Sequence, residues 1–234
     1  MTRVNTTTLF ALSVTIIAVV AMSGLGVWQL QRMVHKQQRL SSITQKQGNE
    51  SLQLLEALAL DEPRDVAITF NGTPDNGHVL LLDNQVQGGK VGFDVIVPVR
   101  TNAGWLLVNY GWLPAPDLRR TLPSVNISNN MQRFNGVVSV PSRNPLTTET
   151  LAEDPAFPAL IQEISFTHLT DILNHKLLPY VIYLTDQDDT FLRDYQPVVM
   201  PPEKHLGYAM VWFGLAIAAA LIGSVAIFKK GNNS

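Results

Sequence analysis

Two charge-free apolar runs bracket this chain and limit what it can fold into. Residues 9–30 (LFALSVTIIAVVAMSGLGVWQL) and 206–228 (LGYAMVWFGLAIAAALIGSVAIF) contain no Asp, Glu, Lys or Arg. At 1.5 Å per residue each forms a helix of roughly 33 Å, enough for a hydrocarbon core of about 30 Å. Backbone exposed to lipid over that length must satisfy its own hydrogen bonds, which a helix does. The expected chain is a membrane protein whose two transmembrane helices flank one soluble domain. Its parts are a tail at 1–8, helices at 9–30 and 206–228, the domain at 31–205, and a tail at 229–234.

The first run admits a second reading as a cleaved secretory signal, since Arg3 precedes it and Val19 and Ala21 resemble a cleavage site. Apolar residues nevertheless continue well past Ala21 to Trp28 and Arg32, the order of a helix leaving a bilayer. Arg3, Lys229 and Lys230 favour cytoplasmic termini, although Arg32, Lys36, Arg39 and Lys204 flank the other side. Long domains translocate largely regardless of such counts, so the domain is expected on the extracytoplasmic, periplasmic face. With no Arg- and Ser-rich transit segment before the first run, a bacterial plasma (inner) membrane is expected.

The intervening stretch of about 175 residues suffices for one core. A net charge of −2 supplies no basic stripe, so nucleic acid is not an expected partner. The chain has no cysteine, which excludes disulfides, thiolate metal sites and a cysteine nucleophile. The Gln-rich residues 29–53 are expected to continue the first helix out of the membrane. Strands are expected at 78–82, 92–100, 105–110, 134–141 and 180–185. In 92–100 (GFDVIVPVR), Phe93, Val95, Val97 and Val99 face one way and Asp94, Ile96 and Pro98 the other. Gly88-Gly89 and residues 101–104 (TNAG) are the expected turns. A helix over 165–176 would bury Phe166, Leu169, Ile172 and Leu173. The fold class is thus an α+β domain rich in antiparallel strand between two membrane helices.

No nucleophile elbow, zinc-protease, Walker or Cys-x-x-Cys motif occurs, and an enzyme is not expected. His168, Asp171 and His175 fall on one face of the expected helix, but opposite its apolar stripe, where solvation accounts for them. His205 differs in opening the second membrane helix, with Tyr208 and Trp212 following on the same face. Two readings of it stand: an interfacial histidine with an ordinary aromatic belt, or an axial ligand for haem iron. Ala216, Ala219, Ala220 and Gly223 would let this helix pack closely against Gly24 and Gly26 of the first.

Three blocks, GVWQLQR at 26–32, GFDVIVP at 92–98 with LVNYGWLP at 107–114, and HLGYAMVWFGLA at 205–216, resemble the surfeit locus protein family of cytochrome c oxidase assembly factors. Residues 26–32 (GVWQLQR) are similar to its G-x-W-Q-L-x-R signature. Residues 92–98 (GFDVIVP) with 107–114 (LVNYGWLP) are similar to its G-x-x-V-x-x-P and L-V-N-R-G-W-V-P blocks. Residues 205–216 (HLGYAMVWFGLA) are similar to its closing H-x-x-Y-A-x-Q-W-F-G-L-A block. Two positions depart from the pattern: Tyr110 stands where the family usually has Arg, and Val211 where it often has Gln. The resemblance implies a chaperone that binds or delivers haem a to the catalytic subunit of the oxidase. It implies His205 as the iron ligand, with Trp28, Tyr208 and Trp212, and also Trp112, as candidates for lining the site. It implies as partners the oxidase catalytic subunit, haem a synthase and the lipid bilayer. A scaffold that holds those partners and never touches haem is the alternative.

Overall fold

The computed structural model describes residues 6–48, 50–116, 121–141, 151–152, 154–198 and 200–231. Arg3 and the ends of both expected tails lie outside these residues. The chain divides into two units, one of residues 1–42 with 198–234 and one of residues 43–197.

The first unit holds α4 (Pro202–Gly231) and all but the last five residues of α1 (Thr6–Gln47), and both helices are long and apolar enough to cross a membrane. Helix α1 absorbs both the apolar run and most of the Gln-rich stretch, ending at Gln47 rather than at residue 53. Pro202 opens α4 at the first helical position, where a missing N–H costs nothing. Small residues mark where the helices meet. The Phe213 ring occupies the space that a Cβ on Gly26 would need, and Thr15 does the same opposite Gly223. Ala209 and Ala216, spaced by seven along α4, are buried. Gly24 does not join this seam: it is exposed, with open space around it. It lies two positions before Gly26, and on a helix that offset turns it to another face.

The second unit is a mixed β-barrel. Its elements between the two long helices are β1 (Leu52–Gln53), α2 (Leu54–Leu58), β2 (Ala67–Pro74), β3 (Leu80–Gln87), β4 (Lys90–Thr101), β5 (Gly104–Pro114), β6 (Gln132–Ser139), β7 (Ala159–Ile161), α3 (Phe166–Leu173) and β8 (Leu177–Leu184). Strands β2, β6, β8, β5 and β4 pair in that order, and β4 returns to β2, closing a ring. All ring pairings are antiparallel except β5 with β8. Strands β1 and β7 add parallel edges to β2 and β3.

Closure depends on β4, whose outer edge serves two partners. It pairs with β3 up to Ile96 and with β2 from Val99 onward. Pro98, which has no N–H to give a ladder, stands at this change of partner. The turns expected at Gly88-Gly89 and at 101–104 are both two-residue hairpins, flanked by the pairs Gln87–Lys90 and Thr101–Gly104. Gly88 and Gly89 supply positive φ of 56° and 78°, the requirement of a primed turn.

The alternation expected in β4 separates two cores. Phe93, Val95, Val97 and Val99 join Leu106, Val108, Tyr110, Phe134 and Ile182 in one cluster. Ile96 joins Leu107 and Val181 in the other, beneath Leu169 and Leu173 of α3. Helix α3 stops at Leu173 because Asn174 turns left-handed. His175 therefore lies past the helix end, stacked on Trp105 at 4.0 Å, and does not share a helical face with His168 and Asp171.

Candidate functional site

His205 lies in the first turn of α4 and is buried, at 8% exposure. Its Nδ1 is 2.8 Å from Oε1 of Gln29, which α1 presents three residues beyond Gly26. That spacing keeps Gln29 on the seam where Gly26 meets Phe213. The other ring nitrogen, Nε2, is buried and has no hydrogen-bond partner among the described residues. A buried polar atom without a partner is uncommon and calls for a specific explanation. An imidazole that donates Nδ1–H to Oε1 leaves Nε2 as a bare lone pair, the state in which histidine ligates a metal. His205 thus fits as the residue that would hold a haem iron, through Nε2.

The other aromatic candidates are arranged more openly. Tyr208 is 50% exposed and Trp28 47% exposed, while Trp212 is half-buried beside the seam. Trp28 carries the Arg32 guanidinium over its ring at 5.4 Å. Trp112 is spent within the barrel: it is buried, and its Nε1 donates to the Gln85 carbonyl at 3.1 Å. Gln29 is the functional candidate that sequence reasoning missed. Its signal was an uncharged polar side chain at the end of an apolar run, where a partner on the neighbouring helix can satisfy it.

The central motif of the barrel is built around its own backbone. Val95 pairs with Gly111 and Ile96 with Asn109, so Tyr110 is the extra residue of a bulge in β5. Gly111, at φ 122°, completes that bulge in a conformation that favours glycine. Asn109 secures it from both ends of its amide, accepting from Gly111 N at 2.8 Å and donating to Asp94 Oδ2 at 2.8 Å. Arg193 Nε donates to the Tyr110 carbonyl at 2.9 Å. Burial pushes the Asp94 carboxyl above the usual range, and the Asn109 contact only partly offsets it. Burial and the nearby Asp94 push the Tyr183 hydroxyl up to about 12, against a hydrogen bond from Asn109. The Tyr110 side chain points into the core between Phe134 and Phe191, with ring centroids 6.1 and 6.0 Å away. This position therefore holds packing rather than a surface group. In the block at 111–114, Gly111 and Trp112 are buried and Pro114 is exposed, and the strand end is braced by the paired backbones of Trp112 and Leu192.

Comparison with known proteins bears on both units. The sequence model of the SURF1 family matches residues 16–217, a span that includes Gln29, the bulge and His205. A SURF1-like protein of Rickettsia felis is 24% identical over 213 residues, covering 89% of this chain and 93% of that relative.

Proposed function

Because the chain belongs to the SURF1 family, we propose that it is an assembly factor of the haem–copper cytochrome c oxidase that carries haem a. The observation that carries this reading is the buried, unpartnered Nε2 of His205, on a ring already held through Nδ1 by Gln29. Haem a, if bound, would supply an iron that takes a nitrogen ligand and a broad apolar surface. His205 offers the nitrogen. The half-open rings of Trp28, Tyr208 and Trp212 offer apolar surface on the same two helices. A single protein ligand leaves transfer to the oxidase catalytic subunit open, since a carrier must release as well as bind.

In this reading α1 and α4 span a bacterial plasma membrane, with the barrel on the periplasmic side and both termini in the cytoplasm. Their long apolar surfaces, from Phe10 at 72% exposure to Phe228 at 78%, suit lipid and partner helices. The protein acts without catalysis, as a chaperone at the membrane, with haem a synthase as a second partner. A scaffold that never touches haem is favoured by one observation: Tyr208 and Trp28 stay about half exposed, as residues facing a partner would.

The test is an optical spectrum of the full chain in detergent, co-produced with the enzymes that make haem a, beside His205→Ala. A haem a band lost in a folded His205→Ala protein supports the carrier with His205 as ligand. A band that survives moves the ligand elsewhere. No band in the parent protein leaves the scaffold as the better account.

A further inference from the structure

We propose that Gln29 is a positioning residue that sets the tautomer of His205, holding the proton on Nδ1 so that Nε2 faces the site as a lone pair. The inference deepens the haem-carrier reading and takes its purpose from it, but its test does not depend on haem.

The argument starts from what a neutral imidazole can do. It carries one N–H and one lone pair, and which nitrogen holds the proton follows from the partner of the other. Here the two nitrogens have unequal surroundings. Nδ1 lies 2.8 Å from the Gln29 amide oxygen, whereas Nε2 is buried with no partner among the described residues. With the proton on Nδ1, the strong acceptor Oε1 is satisfied and the unmet group is a lone pair. With the proton on Nε2, the amide must turn its NH2 toward Nδ1, and a buried N–H is left with nothing to receive it. The first arrangement is one that a Lewis acid completes; the second blocks it.

Geometry keeps the arrangement in place. The two residues lie 176 positions apart and meet only because the helices pack along the seam of Gly26 and Phe213. Partners of this kind orient metal-binding histidines, and their loss typically costs about 10–100-fold in affinity. Val211 and Tyr208, both more than half or half exposed on α4, supply no such contact.

The test is nitrogen NMR of the full chain in detergent, without haem, labelled with 15N-histidine. The chain has five histidines, and His205→Ala assigns the signal. At a pH where the ring is neutral, the parent protein is expected to show a protonated Nδ1 and a pyridine-like Nε2. Gln29→Leu removes the acceptor at similar volume and is expected to mix the tautomers or reverse them. Gln29→Glu retains an acceptor oxygen and is expected to restore the parent pattern, an outcome that a purely space-filling role would not produce. A proton on Nε2 in the parent, or an unchanged tautomer in Gln29→Leu, overturns the proposal. If Gln29→Leu does not fold, the parent and Gln29→Glu spectra still decide the matter. Haem a titration adds a separate arm, with binding about 10–100-fold weaker in Gln29→Leu and recovered in Gln29→Glu. Failure of haem a to bind the parent would sink the carrier reading and leave the tautomer result standing.

Discussion

The indole of Trp112 lies against Gly92 on the paired strand, so close that a Cβ on Gly92 would fall 2.5 Å from its Cε2. The same Cβ would also collide with the backbone oxygen of Leu113. A side chain can rotate away, but a paired backbone cannot. Gly92→Ala is therefore expected to destabilise the barrel by more than the roughly 1–3 kcal/mol of ordinary overpacking. Trp112→Ala, which empties the other side of the contact, is expected to cost about 3–5 kcal/mol. Urea unfolding of the full chain, followed by far-ultraviolet circular dichroism, measures both. An unchanged midpoint for Gly92→Ala would mean that the strands can separate locally at no cost.

Much of this contact could be read from residue order, and the parts that could not share a cause. The alternation of Phe93, Val95, Val97 and Val99 against Ile96 is a period of two, and both cores follow it. The Gly88-Gly89 pair revealed one hairpin because positive φ is a local demand, and the turn-forming Asn102 with Gly104 marked the other. Strand β2 was missed because Asn71-Gly72 and Pro74 carry turn and breaker signals inside it. Strand β7, at three residues, is too short for any pattern. The closing pair of β2 with β4 and the parallel pair of β5 with β8 join distant segments, which no local periodicity encodes. The site divides in the same way. His205 stood out by type and position, while Gln29 became a candidate only once the helices brought it to the ring.

Asn109 is expected to be the least replaceable polar residue of the barrel. It is 2% exposed and joins Gly111 N to Asp94 Oδ2 through its two amide ends. Asn109→Ala leaves a backbone donor and a carboxylate without this partner, each worth about 1–3 kcal/mol when buried. Thermal melting should therefore fall sharply. If instead the variant melts with the parent, the bulge at Tyr110 is held by Arg193 alone.

Alkaline pH is expected to unfold the barrel through its buried phenols. The Tyr183 hydroxyl titrates from 10.0 when unfolded to about 12 when folded, so between these values the folded state binds more protons. Stability is then full below pH 10 and falls as pH rises toward 12. Tyr110 and Tyr195 are shifted in the same direction, chiefly by burial, and steepen the loss. Unfolding free energies measured from pH 9 to 12 should decline, with a shallower slope for Tyr183→Phe. A slope untouched by that substitution would place the phenol in water.

Tyr110 offers a comparison between this chain and the arginine of the motif it resembles. Its hydroxyl meets Gln132 Nε2 at a long 3.4 Å, while its ring is packed between Phe134 and Phe191. Tyr110→Phe is expected to cost under about 1.5 kcal/mol, the net worth of one ordinary hydrogen bond. Tyr110→Arg brings a charge into a core built from aromatic rings and is expected to cost about 3–5 kcal/mol, the scale of an unpaired buried charge. Equal midpoints in urea for the two variants would show that the pocket opens to admit the guanidinium.

The helix pair can be tested with two glycines that differ only in their surroundings. A Cβ on Gly26 would sit 2.7 Å from Cε1 and Cζ of Phe213, whereas one on Gly24 would meet nothing within 4 Å. Both residues lie in α1, so replacing either with Leu changes intrinsic helix preference by the same amount. The difference between Gly26→Leu and Gly24→Leu therefore isolates the contact between α1 and α4. We expect Gly24→Leu to melt at or slightly above the parent in detergent, since leucine favours a helix over glycine by up to about 1 kcal/mol. Gly26→Leu should lose about 1–3 kcal/mol, because the far end of the Phe213 ring can move but the added branched side chain must also be housed. Gln29 lies three residues from Gly26 on the same face, so Gly26→Leu should also disturb its hydrogen bond to His205. The 15N signals of His205 report that disturbance directly. Matching melts and matching His205 spectra for the two leucine variants would mean that the seam at Gly26 and Phe213 does not hold the helices together.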